Sequence, residues 1–213
     1  MINTIIFDLG NVLVGFGWEK FLREIAPEDK DYLALERAIF RNPAWVEHDK
    51  GLLTEQEELA EFISAAPEYE AQIRQAYENL SGCVWNLPYT VPWLQELKAE
   101  GFRIYALSNW PKHVYDLRGA RLDFLELMDG YILSFREHVI KPDPEIYRRL
   151  LERYDIRPEE AVFLDDTLKN VEGAERLGIR GIHFRNLGQA KEELEKLGVG
   201  TKNKESEKIR KNP

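Results

Sequence analysis

Two short apolar runs far apart in the chain end in acid: Ile5-Ile6-Phe7 leads into Asp8, and Ala161-Val162-Phe163-Leu164 leads into Asp165-Asp166. An apolar run stopped abruptly by aspartate is the pattern of a buried parallel strand whose carboxyl end opens on a ligand crevice. Carboxylates brought together without partners repel or take up protons, so a hard divalent cation such as Mg²⁺ is the simplest reason for them to converge. Asp8, Asp165 and Asp166 are therefore expected around one metal, with Asp8 as the leading catalytic candidate.

Two further strand ends carry groups suited to the same crevice. Ser108-Asn109 follows Ile104-Tyr105-Ala106-Leu107, and Lys141-Pro142 lies after the apolar stretch at 130 to 134. A carboxylate can accept a phosphoryl group once a cation masks its charge, a hydroxyl and an amide can hold non-bridging oxygens, and a lysine can neutralise transition-state charge. Each piece alone has an ordinary reading: Asp165-Asp166 could cap the helix beginning near Leu168, Ser108-Asn109 could cap another, and a lone lysine is usually exposed. Together, at successive strand ends, they predict phosphoryl transfer.

Positioning these groups requires a sheet. Strand-like segments recur at 3 to 7, 102 to 107, 130 to 134, 160 to 164 and 180 to 184, with helix-like patterns between the later four. That alternation predicts an α/β fold, a doubly wound parallel sheet with helices on both faces. The long interval before residue 102 breaks the rhythm with helix-like sets: Phe21, Leu22 and Ile25; Leu33, Leu35, Ala38 and Ile39; Leu59, Phe62 and Ile63. Residues 15–85 are accordingly expected to form an inserted helical cap above Asp8, leaving 1–14 and 86–199 as the Rossmann-like core. Gly15 and Gly17 at one boundary are candidate hinges, while Pro88 and Pro92 introduce the helix returning to the core. The Lys-, Glu- and Asn-rich stretch 200–213 is expected to be a disordered tail.

Composition narrows the partners. The chain has 213 residues, 44% of them apolar, and a formal charge of -9. So acidic a protein lacks the basic surface that nucleic acid demands, and phosphate specificity has to be built locally. Neither a membrane span nor a signal peptide is expected, and Cys83, the single cysteine, is expected to be a small buried hydrophobe. The expected setting is cytoplasmic, with a monomer or homodimer acting on a small phosphoester.

Asp8-Leu9-Gly10-Asn11-Val12, Leu107-Ser108-Asn109, Lys141-Pro142-Asp143-Pro144-Glu145-Ile146-Tyr147 and Phe163-Leu164-Asp165-Asp166 resemble, in order, the four motifs of the haloacid dehalogenase-like hydrolases. The stretch from Glu47 to Glu57, together with Asn170-Val171-Glu172-Gly173-Ala174, resembles the branch containing bacterial alpha-D-glucose-1-phosphate phosphatase. The resemblance implies a Mg²⁺-dependent phosphatase forming an aspartyl phosphate on Asp8. It implies metal ligation by Asp8, the Gly10 carbonyl and Asp166, with Asp165 either a ligand or beside one. Ser108 and the Asn109 amide would hold the phosphoryl group, Lys141 would offset charge, and Asn170 would organise the acidic loop.

One position departs from that pattern. Phosphatases of the family usually carry at position 10 a second aspartate, which protonates the leaving oxygen and later activates water, whereas this chain has glycine. Loss of general acid-base help costs about 10²- to 10⁴-fold in rate, or roughly 3 to 5 kcal/mol, unless something substitutes. Good leaving groups suffer least, which favours a sugar 1-phosphate. Two alternatives remain: a 2-haloacid dehalogenase, against which the acidic pair counts, and a silent binding protein that lost turnover with the acid.

Among aromatic and imidazole side chains, Trp18, Trp45 and Trp110 are expected mainly to pack, with Trp110 the best placed to recognise substrate. His48 is expected to be a solvated surface histidine, the alternative being that it faces substrate or replaces the missing acid, and His113, His138 and His183 are assigned no catalytic role.

Overall fold

The computed structural model describes residues 1–117 and 122–200, so the expected tail lies, beyond Gly200, outside the described residues. Five parallel strands, β1 (Thr4–Phe7), β4 (Arg103–Ser108), β5 (Gly130–Leu133), β6 (Ala161–Asp165) and β7 (Arg180–His183), form one sheet in the order β5-β4-β1-β6-β7. Each falls within about a residue of its expected place. The two unforeseen strands, β2 (Val14–Phe16) and β3 (Val84–Asn86), form a separate antiparallel ribbon. Three-residue strands carry too little periodicity to be read in advance.

Strand residues alternate between two apolar layers, as the two-residue pleat requires. Ile5 and Phe7, Ile104 and Ala106, and Val162 and Leu164 belong to one layer, which also holds Trp93 and Leu97 of α6 (Thr90–Ala99) and Leu194 of α11 (Leu187–Lys196). Ile6, Tyr105, Leu107 and Phe163 belong to the other, against Ile146, Tyr147 and Leu150 of α9 (Pro144–Arg153) and Ala174 of α10 (Leu168–Glu175). With both faces covered, β1 and β6 bury every residue, which is why they read as unbroken apolar runs.

Helices α1 (Trp18–Ile25), α2 (Asp29–Ala38), α3 (Ala44–Lys50), α4 (Glu55–Ala65) and α5 (Glu70–Glu78) fill the interval before β3. They share an aromatic seam, with ring centroids 5.1 Å apart for Trp18 and Phe40, 4.7 Å for Phe40 and Trp45, and 6.4 Å for Trp45 and Phe62. Leu35, Phe62 and Ile73 are fully buried within them, whereas Leu33, expected on a covered face, is 45% exposed. A capping box between Thr54 and Glu57 fixes the start of α4 by satisfying two otherwise orphaned amides.

The β2–β3 ribbon joins these helices to the sheet. Gly15 lies inside β2, and a Cβ there would fall 2.0 Å from Cε2 of Trp85, so only glycine admits the indole. Nearby, the Tyr89 and Thr90 hydroxyls donate to the carbonyls of Val12 and Leu13, tying the start of α6 to the loop after β1. Two short core helices matter for the site: α7 (Lys112–Asp116), after β4, and α8 (Ser134–Glu137), after β5.

Candidate active site

Register explains the convergence of the acids. Phe7 pairs with Leu164 of β6 and with Ala106 of β4, and the Asp8 amide donates to Leu164 O at 2.8 Å. Asp8 therefore leaves β1 beside Asp165 on one side and near Ser108 on the other. Carboxylate oxygens of Asp8, Asp165 and Asp166 lie within 4.8 Å of one another.

Lys141 sits between them with 2% exposure, its ammonium 2.6 Å from Asp165 Oδ2 and 2.8 Å from Asp8 Oδ1. Its backbone is clamped by the Asn109 side chain, which accepts from the Lys141 amide at 2.8 Å and donates to the Lys141 carbonyl at 3.1 Å. The Asn109 carboxamide thus has a structural task, and only its backbone amide remains for a phosphate.

The two acids of the β6 loop differ in environment. Asp165 is fully buried and accepts from Lys141, from the Thr167 amide at 2.8 Å, and from Asn170 Nδ2, which lies 3.1 Å from both its oxygens. Asp166 is held more lightly, by Asn11 Nδ2 at 3.1 Å, and its carbonyl lies 2.9 Å from His183 Nε2. Asp166 is thus the freer carboxylate. Asn11, unforeseen as a site residue, adopts φ 56°, a left-handed conformation asparagine tolerates, and also accepts from the Phe16 amide.

Among the described residues the cation that pairs within this cluster is Lys141, on Asp8 and Asp165, so the three carboxylates outnumber it when all are ionised. Burial pushes Asp8 up to about 6, with Asp165 raising it further and Lys141 and Ser108 opposing. Burial also raises Asp166, against the hydrogen bond from Asn11. Lys141 loses solvation too, but Asp165 and Asp8 outweigh that loss and hold its ammonium above the usual range. Hard oxygen donors carrying surplus negative charge are what Mg²⁺ requires, so the residues fit the ion. At Gly10 a Cβ would meet nothing within 4 Å, so the position has room for a side chain.

These groups open into a cavity of about 250 Å³. Asp8, Gly10, Asn11, Ser108, Asn109 and Asp166 line it, together with the aromatic residues Phe16, Trp45 and Trp110. Trp110 is only 4% exposed and its indole Nε1 has no hydrogen-bond partner among the described residues, while its amide donates to Ser134 Oγ at 2.9 Å. Trp18 stays in the aromatic seam, away from the cavity lining. A larger hollow of about 460 Å³, beside His48, Glu58 and His113, receives none of the three clustered aspartates.

His48 corrects the sequence reading. It is 4% exposed, not solvated, with Nδ1 2.6 Å from Glu58 Oε1, and Glu58 in turn accepts from the Tyr77 hydroxyl at 2.7 Å. The next residue, Asp49, was not foreseen as a site residue, yet it lines the cavity. Its carboxyl makes no hydrogen bond or ion pair among the described residues. Burial pushes it up to about 7, helped by Glu58 and Asp8 and opposed by Lys141. The remaining histidines have structural contacts: His113 stacks on Tyr77 at 4.1 Å, and His138 Nδ1 lies 2.9 Å from Lys50 O. Cys83 is buried, its thiol pushed up to about 12.

A sequence model described as haloacid dehalogenase-like hydrolase matches residues 2–178. Sesquiterpene phosphatase astK of Aspergillus oryzae is 27% identical over 84% of this chain and 88% of its own length. Flavin mononucleotide hydrolase 1 of Arabidopsis thaliana is 28% identical over 73% of this chain and 62% of its own. In fold, the chain resembles the HAD family enzyme bt-2542 of Bacteroides thetaiotaomicron, solved in complex with magnesium and inorganic phosphate. That likeness has a TM-score of 0.70 at 22% identity, covering 87% of this chain and 95% of the other.

Proposed function

Because the chain belongs to the haloacid dehalogenase-like hydrolases, we propose that it is a Mg²⁺-dependent phosphatase that hydrolyses a small phosphorylated metabolite, a sugar phosphate such as glucose 1-phosphate, through an aspartyl phosphate on Asp8. The observation that carries this reading is the meeting of Asp8, Asp165 and Asp166 within 4.8 Å of one another, with Lys141 paired to the first two and with Asp8 and Asp166 lining a cavity. Similarity to a phosphatase and a flavin mononucleotide hydrolase supports phosphoester chemistry. Sites of about 300 to 1,000 Å³ take drug-sized ligands, so a cavity of about 250 Å³ suits a smaller one. Its aromatic lining suits the face of a sugar ring.

Asp8, Asp166 and the Gly10 carbonyl would hold Mg²⁺, which when bound masks the charge of carboxylate and phosphate alike. Asp165 is saturated by Lys141, Asn170 and Thr167, and its task is to fix the lysine. Asp8 attacks phosphorus, with Lys141 keeping its carboxylate charged and aimed. The Ser108 hydroxyl and the Asn109 amide bind the phosphoryl oxygens, and water then hydrolyses the acyl phosphate. Residues 15–85 serve as the cap that excludes bulk water above this centre.

The two alternatives fare worse. A dehalogenase needs no metal and would leave Asp166 without a purpose, and a silent binding protein has no need of a lysine clamped between two buried carboxylates. Phosphate release from glucose 1-phosphate, glucose 6-phosphate and an aryl phosphate, with and without Mg²⁺, tests the proposal. Turnover should require Mg²⁺ and vanish in Asp8→Asn; undiminished turnover by that variant would remove the proposed nucleophile.

A further inference from the structure

The loop at position 10 leaves an acid missing, and the cap brings one in. Asp49 is the penultimate residue of α3 and faces the same cavity as Asp8, Gly10 and Ser108. Its backbone is fastened to the core: Ser134 Oγ of α8 donates to the Asp49 carbonyl, and His138 Nδ1 lies 2.9 Å from Lys50 O. Gly51 then turns the chain at φ 63°, so close to α8 that a Cβ would fall 2.7 Å from Phe135 O. Three contacts thus fix the end of α3 over the crevice, while among the described residues the Asp49 carboxyl has no hydrogen bond or ion pair. Charged groups facing that carboxyl are Glu58 from α4, Lys141 from the loop beyond α8, and Asp8 from the end of β1.

We propose that Asp49 is the general acid and base of this enzyme, delivered by the cap in place of the carboxylate that Gly10 lacks. The inference rests on the phosphatase reading. As the bond between phosphorus and the leaving oxygen breaks and Asp8 takes the phosphoryl group, protonated Asp49 gives its proton to that oxygen, and the alcohol departs neutral. Asp49, now a carboxylate, takes a proton from water as its oxygen attacks the phosphorus of the aspartyl phosphate. Asp8 leaves as carboxylate, inorganic phosphate forms, and Asp49 is again protonated. A partly exposed carboxyl that lines the cavity and is raised to about 7 is matched to both steps near neutral pH.

Leaving-group dependence tests the assignment. Asp49→Asn should lose about 10²- to 10⁴-fold in kcat on an alkyl phosphate, whose leaving oxygen needs the proton, with KM nearly unchanged. On p-nitrophenyl phosphate the loss should stay below about 10-fold for phosphoryl transfer measured in the pre-steady-state burst. Asp49→Glu should restore part of the alkyl activity, and Gly10→Asp combined with Asp49→Asn should restore it too, since the space at position 10 is open. Without Mg²⁺ and without turnover, difference infrared spectra should show a protonated carboxyl that titrates near pH 7 and is missing in Asp49→Asn.

Equal losses of the phosphoryl-transfer step on both esters, no loss on either, or a carboxyl signal unchanged by the substitution would overturn the role of Asp49. In each of those outcomes Mg²⁺-dependent turnover by the unaltered protein, abolished in Asp8→Asn, would leave the phosphatase reading standing. Absence of phosphate release by the unaltered protein from every ester would overturn both.

Discussion

The Asn109 side chain and the Lys141 backbone exchange two hydrogen bonds, at 2.8 and 3.1 Å, across the gap between the ends of two neighbouring strands. Through this clamp the position of the lysine ammonium, and with it the aim of Asp8, depends on a residue from a different motif.

Asn109→Ala is expected to leave the Lys141 amide and carbonyl unpaired in a largely buried setting, at a cost of about 1 to 3 kcal/mol. Urea unfolding measures that loss. Activity should fall in kcat more than in KM, because the lysine is displaced rather than removed. A variant as stable and active as the parent would show that the clamp is dispensable.

Lys141→Met removes the cation that bridges two buried carboxylates, Asp8 and Asp165. Breaking such a buried pair costs roughly 3 to 5 kcal/mol, so the metal-free variant should melt well below the parent. Mg²⁺ supplies the missing positive charge and should recover more stability in the variant than in the parent. Equal Mg²⁺ effects in both proteins would argue that the carboxylates do not share a site.

Mg²⁺ itself should raise the melting temperature. At 100 times its dissociation constant the ion contributes about 2.7 kcal/mol, or roughly 5 to 10 °C for a chain of this size. Chelator should reverse the shift and Asp166→Asn should remove most of it, whereas Asp49→Asn should retain it. A full shift in Asp166→Asn would exclude that carboxylate as a ligand.

Asp49 gives the metal-free protein a pH-dependent weakness. Its carboxyl rises from 3.8 to about 7 on folding, so between those values the folded state binds more protons than the unfolded chain. Stability therefore falls as pH rises through that window, and the penalty is complete above it. Asp49→Asn should flatten this slope and make the protein more stable above pH 7, by roughly 1 to 3 kcal/mol after screening by the open cavity. Chemical denaturation at pH 4 and pH 8 provides the comparison, and parallel slopes for the two proteins would sink the expectation.

Asp8, Ser108, Lys141 and Asp165-Asp166 were legible from residue order because a strand buried on both faces must be continuously apolar. The first polar residue after such a run marks the carboxyl end of the sheet, a local property of a few consecutive positions. Parallel pairing then brings those ends together whatever the loops contain, so the acidic cluster follows from spacing alone. The cap offered no such rule. His48 and Asp49 are adjacent in a charged stretch of a seven-residue helix, too short for periodicity to say which side is covered. Only the docking of α3 on α8, set by Gly51 against Phe135 and by Ser134 on the Asp49 carbonyl, turns the histidine inward to Glu58 and the aspartate into the crevice. Side-chain direction on a short helix is decided by what the helix packs against, and that partner lies more than 80 residues away in sequence.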